Sequence, residues 1–192
     1  MLLWVGLGNP EPGMAFNRHN IGFMALDVIV AHHGFSDWRR RFRGLVAEGV
    51  VGGQKVLALK PLTYMNLSGE SVQAAASFYK LPVSAITVFH DEIDLAPGKV
   101  RVKLGGGAAG HNGLRSIDRS LGDQGYWRVR LGVGHPGKER VLGHVLGDFS
   151  RQDREEWLEA LLGAMAEQAP LLVEGQVEAF MSKIASAVQR PG

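Results

Sequence analysis

The chain has 192 residues, 45% of them apolar and 21% charged, with a formal net charge of +2. That is enough apolar material for the core of one domain, and it excludes disorder as a whole-chain description. There is no cysteine, so disulfides, thiolate metal sites and cysteine nucleophiles are ruled out; the apolar runs are too short to cross a bilayer, and Met1-Leu2-Leu3-Trp4 reads as a strand rather than a secretory leader, so a cytoplasmic protein with no membrane partner is expected.

In chain order, Leu2–Leu7 is an apolar run closed by Gly6, Gly8 and Pro10, a buried strand entering a tight loop. Apolar residues at helical spacing from Ile21 to His33, stopping at Gly34, predict a helix. The stretches 45–51 and 55–59 flank Gly52-Gly53 and predict a hairpin. A helix is expected after a Ser68 cap, ending near Leu81-Pro82. Ile86–Phe89 reads as a buried strand running into a carboxylate-rich loop, His90–Asp94. Strands are expected at 100–104 and 127–133, with a helix between Asn112 and Leu121. Past Ser150 the pattern is helical, interrupted near Pro170 or Gly175. The alternation of strands and helices indicates an α/β fold with a mixed sheet, whose ligands sit beyond the strand ends.

Several polar clusters lie at those strand ends. Gly6-Leu7-Gly8-Asn9-Pro10 fails as a dinucleotide motif, because Glu11 stands where the last glycine belongs and Pro10 lacks an N–H. What remains is a turn presenting Asn9. Asn17-Arg18-His19-Asn20 precedes the first helix; His19 suits a general base near neutral pH, while the plainer reading makes Asn20 a cap and His19 incidental. The acids Asp91, Glu92 and Asp94 suit metal ligation with His90 and His19, turn formation, or the orientation of a histidine, and no firm metal spacing such as HExxH occurs. Six glycines and alanines, 105–110, run into His111-Asn112 at a helix start, where an anion or developing oxyanion would be favoured. Asn9, Asn66 and Asn112 together supply neutral amides suited to peptide-like or ribose groups.

Charge is asymmetric. Lys99–Arg140 holds nine Lys/Arg against three acids, and the chain from Asp148 onward holds four against eight. Lys99, Arg101 and Lys103 alternate with apolar residues and share one strand face, as do Arg128 and Arg130. Were the two strands neighbours, their cations would form a patch whose repulsion a phosphate ligand relieves.

Taken together, Gly6-Leu7-Gly8-Asn9-Pro10, Asn17-Arg18-His19-Asn20-Ile21-Gly22, Tyr64-Met65-Asn66-Leu67-Ser68-Gly69, His90-Asp91-Glu92-Ile93-Asp94-Leu95 and Gly110-His111-Asn112-Gly113, in this order, resemble the bacterial-type peptidyl-tRNA hydrolases. Arg130–Gly137 and Val145-Leu146-Gly147 fit as well. The resemblance implies a single α/β domain over 1–192, a twisted mixed sheet flanked by helices on both faces, a lid-like segment at about 138–146 and C-terminal helices at about 150–188. It implies a monomeric enzyme that hydrolyses the ester joining a peptide to the terminal ribose of tRNA, with no metal and no other cofactor. It implies that His19 is the catalytic base and Asp91 its partner, that Asn9, Tyr64, Asn66, His111 and Asn112 line the substrate site, and that Lys103 and Arg130 hold the tRNA 5′-phosphate. Relatives often carry His-Gly where Ala108-Ala109 stands, a change expected to stiffen that loop, and a proline where Ala96 stands. The competing expectations are a non-catalytic RNA-binding relative of the same fold, and a metal-dependent amidohydrolase or peptidase using His19, Asp91 and Glu92.

Overall fold

The computed structural model describes residues 1–189. The strand β1 (Leu2–Gly6) is central and pairs in parallel with β4 (Gln54–Pro61) on one side and β5 (Ile86–Glu92) on the other. Beyond β5 comes β7 (Trp127–Gly132), also parallel, and β6 (Val100–Leu104) closes that edge antiparallel to β7. Beyond β4, β3 (Gly44–Val51) and β2 (Arg39–Arg41) are antiparallel, giving one seven-stranded mixed sheet in the order β2-β3-β4-β1-β5-β7-β6. The β3–β4 turn falls on Gly52-Gly53 at φ +55° and +77°, the pair of left-handed positions that a tight hairpin demands.

Helices cover both faces. Along β1 the side chains alternate, Leu3 and Val5 facing one core and Trp4 the other, as the two-residue period of a strand requires. Leu3 and Val5 pack beneath α2 (Ser68–Phe78) and α3 (Asn112–Leu121), with Val72, Ile117 and Tyr126 in the same core. Trp4 and Phe89 pack beneath α1 (Ile21–His32), α6 (Glu159–Val173) and α7 (Val177–Gln189), with Ile29, Met165 and Phe180. Of the remaining elements, α4 (Val141–Val145) follows a 3₁₀ turn at Lys138–Arg140, and α5 (Arg151–Asp153) continues through a π-helical segment, Arg154–Leu158, into α6. No helix among the described residues is long and apolar enough to cross a membrane.

Two local expectations are corrected, at the end of β5 and at Ser68. The buried strand does not stop at Phe89: β5 runs on through His90, Asp91 and Glu92, which pair with Arg130, Leu131 and Gly132 of β7, so these polar residues lie on rigid backbone and not in a loop. Ser68 is the first residue of α2 rather than its cap, and its hydroxyl donates to the Met65 carbonyl at 2.7 Å. Pro170 sits inside α6 without ending it. Its ring leaves the Ala166 carbonyl without an intrahelical partner, and His33 Nε2 takes that oxygen at 2.7 Å; the break comes at Gly175, φ +75°. Ala109 adopts φ +48°, so this alanine holds a left-handed position at some steric cost.

The start of α1 decides where the polar strand ends meet. A Cβ on Gly22 would lie 2.3 Å from the Phe89 carbonyl oxygen and 2.6 Å from the Leu7 nitrogen, so only glycine lets the helix seat directly on the ends of β1 and β5. Leu7 donates to the Phe89 carbonyl at 3.0 Å, and Phe23 donates to the Leu7 carbonyl at 3.2 Å. This seating brings the 3₁₀ turn Arg18–Asn20, immediately before α1, to the end of β5.

Candidate active site

Asp91, near the end of β5 and 2% exposed in its side chain, joins two histidines from different elements. His19 Nδ1 lies 2.8 Å from Asp91 Oδ2, and His111 Nε2 lies 2.8 Å from Asp91 Oδ1. The rings of His19 and His111 are 5.1 Å apart between centroids. His111 is the N-cap of α3, where its Nδ1 accepts from the backbone N–H groups of Gly113 and Leu114 at 3.1 and 3.3 Å. An Nδ1 that accepts carries no proton, so the hydrogen-bond network assigns the proton of His111 to Nε2, where it donates to Asp91. His19 in turn donates Nδ1–H to the other carboxylate oxygen, which leaves the Nε2 lone pair of His19 free. Three residues from a turn, a strand and a helix cap thus fix one tautomer of one imidazole.

The electrostatics agree with that arrangement. Burial by itself would lower the pKa of His19, but the charge of Asp91 and the hydrogen bond to it outweigh burial and raise it above the usual 6.5. Burial would raise the pKa of Asp91, yet the two histidines hold its carboxyl far below the ordinary carboxylate range. His90 is fully buried, and burial together with the neighbouring His111 pushes its pKa down to about 4, so it stays neutral at physiological pH. Its Nδ1 faces the Asp91 backbone carbonyl at 2.9 Å and its ring packs edge-on to His111.

Asn9 is fixed to the turn that carries His19. Its backbone N–H donates to Asn20 Oδ1 at 2.6 Å, Asn20 Nδ2 donates to the Asn9 carbonyl at 3.0 Å, and Asn9 Oδ1 accepts from Glu11 N–H at 3.1 Å. The amide NH₂ of Asn9 is left without a partner among the described residues. Asn20 is therefore not a side-chain cap of α1 but a buried brace for Asn9, a role that its cap-like position in the sequence hides. Asn66 occupies the 3₁₀ turn Met65–Leu67, which packs on the start of α3, and Asn112 is the first residue of α3; both are exposed. Neither side chain has a hydrogen-bond partner among the described residues. Tyr64 precedes Asn66 and is 63% exposed, lining an open groove with Pro10, Leu67 and Arg43.

Metal ligation has one geometric candidate among the described residues: ligand atoms of His19, Asp91 and His111 lie within 4.8 Å of one another. The donor set does not fit a cation. His111 Nδ1 already accepts two backbone N–H groups, so its Nε2 bears the proton and offers no lone pair, and the facing nitrogen of His19 likewise donates to Asp91. Glu92 points elsewhere, to Arg130.

The two basic strands are neighbours, with Lys103 opposite Arg128 and Arg101 opposite Arg130. The patch is less uniform than alternation suggests. Arg128 is buried, and Arg130 Nε is 2.9 Å from Glu92 Oε1 with its terminal nitrogens unpartnered among the described residues. Lys103 is exposed and has no acidic partner among the described residues. Lys103, Arg130, Arg128 and Glu92 line a cavity of about 290 Å³ together with His90 and the glycine loop. The loop after β6 thus runs from the phosphate-binding candidates to the His111 cap.

The family model described as Peptidyl-tRNA hydrolase matches residues 3–191. The chain is 70% identical over 186 residues to a peptidyl-tRNA hydrolase of Acidiphilium cryptum, covering 96% of each chain. It is 66% identical to one from Granulibacter bethesdensis, covering 99% of this chain and 98% of the relative. Among solved structures, the peptidyl-tRNA hydrolase of Acinetobacter baumannii superposes with a TM-score of 0.88 at 40% identity, covering 96% of this chain and 94% of that one.

Proposed function

The chain belongs to the peptidyl-tRNA hydrolase family and hydrolyses peptidyl-tRNA, and from that premise we propose that His19 is the general base that activates the attacking water. The observation that carries the proposal is the fixed tautomer. With Nδ1–H donated to Asp91, the Nε2 lone pair is the one available to take a proton from water as it attacks the ester carbonyl. Such a base contributes on the order of 10²–10⁴ in rate. Asp91 holds the ring and stabilises the imidazolium that forms, while His111 braces Asp91 from its far side. An ester is reactive enough that neither a covalent nucleophile nor a metal is needed.

In the same reading, the amides of Asn9, Asn66 and Asn112 hold the peptide and ribose, and Tyr64 flanks the peptide. A donor aimed at the tetrahedral oxyanion is worth about 3–4 kcal/mol, and the unpartnered side-chain amide of Asn112 at the start of α3 is one candidate. Lys103 and Arg130 grip the 5′-phosphate, arginine through its two free terminal nitrogens and lysine as a point charge. The segment 138–146 acts as a lid. Its tie to the site supports this: the guanidinium of Arg18, one residue before His19, donates to the His144 carbonyl at 3.2 Å, and Leu142 is 71% exposed. The protein works as a monomer in the cytoplasm, where translation makes its substrate. A non-catalytic RNA-binding role would leave the His19–Asp91–His111 arrangement without a use.

Hydrolysis of peptidyl-tRNA with and without a strong chelator is the test. Equal rates are expected, and loss of activity restored by a divalent cation would transfer His19 and Asp91 to a metal-dependent mechanism.

A further inference from the structure

The glycine loop after β6 is held by a residue that the general-base mechanism does not use. Arg128, on β7, is 2% exposed. Its Nη1 donates to the Gly107 carbonyl at 2.8 Å and its Nη2 to the Gly106 carbonyl at 2.6 Å. The guanidinium lies 4.5 Å over the ring of Tyr126 and 3.6 Å from Asp118 Oδ1, the oxygen that also accepts the Tyr126 hydroxyl at 2.7 Å. Its Nε is buried with no partner among the described residues. A buried charge with an unsatisfied donor is expensive, and well-packed apolar residues commonly replace buried ion pairs without loss of stability. Packing alone does not account for an arginine here.

The two carbonyls belong to a segment that has little else to fix it. Residues 105–110 are glycine and alanine only, and the backbone freedom they lose on ordering opposes a single loop conformation. The segment is also where Lys103 rests: a Cβ on Gly106 would lie 3.0 Å from Lys103 Nζ and 3.2 Å from Cε, so the lysine side chain runs along the Gly106 backbone. Lys103 is the residue directly opposite Arg128 in the β6–β7 register. By contrast, His111 donates to Asp91 and to the Ala108 carbonyl and accepts from the N–H groups of Gly113 and Leu114, and none of these bonds involves Arg128.

We propose that Arg128 is a positioning residue: by holding the Gly106 and Gly107 carbonyls it fixes the loop against which Lys103 lies, and so sets where that ammonium meets the tRNA 5′-phosphate. This rests on the phosphate role proposed for Lys103. Its effect falls on substrate binding and not on the His19–Asp91 chemistry.

Arg128→Lys keeps the charge and loses the two-pronged hold on the carbonyls. With full-length peptidyl-tRNA it raises KM about fivefold or more and leaves kcat within about twofold. In hydrogen exchange it speeds the amides of 105–110 while those of β5 and β7 stay protected, a pattern that general destabilisation would not give. In a Lys103→Ala background, adding Arg128→Lys raises KM by no more than about a further twofold. If Lys103→Ala leaves KM unchanged, the phosphate reading fails and the inference falls with it. If Lys103→Ala raises KM and folded Arg128→Lys does not, the phosphate reading stands and the inference alone is overturned. Fully additive effects, or a loss confined to kcat, also overturn it. Should Arg128→Lys not fold, Asp118→Asn removes the counter-charge and keeps an oxygen for Tyr126; a smaller rise in KM is expected, and no change refutes the role.

Discussion

Replacing Asp91 by asparagine exchanges one carboxylate oxygen for an NH₂ and should disable His19 through its tautomer. His111 Nδ1 is committed to accepting from Gly113 and Leu114, so its Nε2–H must still find an acceptor, and the single amide oxygen of the substituted side chain would serve it. The amide NH₂ then faces His19 Nδ1, 2.8 Å away in the parent pair, and forces that nitrogen to accept. The His19 proton moves to Nε2, the atom that has to take a proton from water. The analogous substitution in a His–Asp pair of a hydrolase costs about 10⁴ in kcat, and a fall of roughly 10²–10⁴ is expected here. The acid limb of the pH profile should move as well. In the parent, the Asp91 charge raises the His19 pKa above 6.5, so the rate falls as pH drops through that raised value. Without the charge, burial dominates and the pKa drops, so the acid limb moves to lower pH. The assay is single-turnover hydrolysis of peptidyl-tRNA between about pH 5 and 9 at saturating enzyme. A variant within about threefold of the parent rate, with its acid limb unmoved, would refute the tautomer argument.

Lys103→Ala and Arg130→Ala should each raise KM for full-length peptidyl-tRNA and flatten the salt dependence of binding, because each removes a cation from the phosphate. Minimal esters lacking the 5′-phosphate should be cleaved as by the parent; equal impairment on both substrates would reassign the two residues to fold or chemistry. Gly22→Ala should destabilise by about 1–3 kcal/mol or more, since its Cβ would meet backbone atoms at 2.3 and 2.6 Å. For a chain of this size that lowers Tm by roughly 2–12 °C, and an unchanged thermal melt would contradict the close seating of α1 on β1 and β5.

Where local chemistry governs, the sequence was sufficient. The apolar run at Leu2–Leu7, the Gly52-Gly53 hairpin and the helix over Asn112–Leu121 are read from composition and period alone, and each is present. Where tertiary contacts override local preference it was not. The β2–β3 hairpin turns on Phe42-Arg43 at φ +54° and +55°, residues with no turn signal. The turn is held from outside, by Ser71 Oγ on the Phe42 carbonyl at 2.6 Å and Leu62 N–H on the Arg43 carbonyl at 2.9 Å. Likewise, nothing in His90–Asp94 announces that Asp91 and Glu92 continue a buried strand, since their cost is met by His19, His111 and Arg130 from elsewhere in the chain. The motifs identified the candidate residues. Which proton sits on which nitrogen needed the α3 cap, whose two backbone donors are invisible until the helix is placed.

The most direct measurement of the central proposal is the single-turnover rate of His19→Ala on peptidyl-tRNA, with tRNA affinity measured on the same preparation. The account predicts a rate lower by about 10²–10⁴ with affinity within about threefold of the parent, because the substitution removes the base and leaves Lys103 and Arg130 in place. A near-parental rate, or a loss explained wholly by weakened binding, would contradict the assignment of His19 as the base.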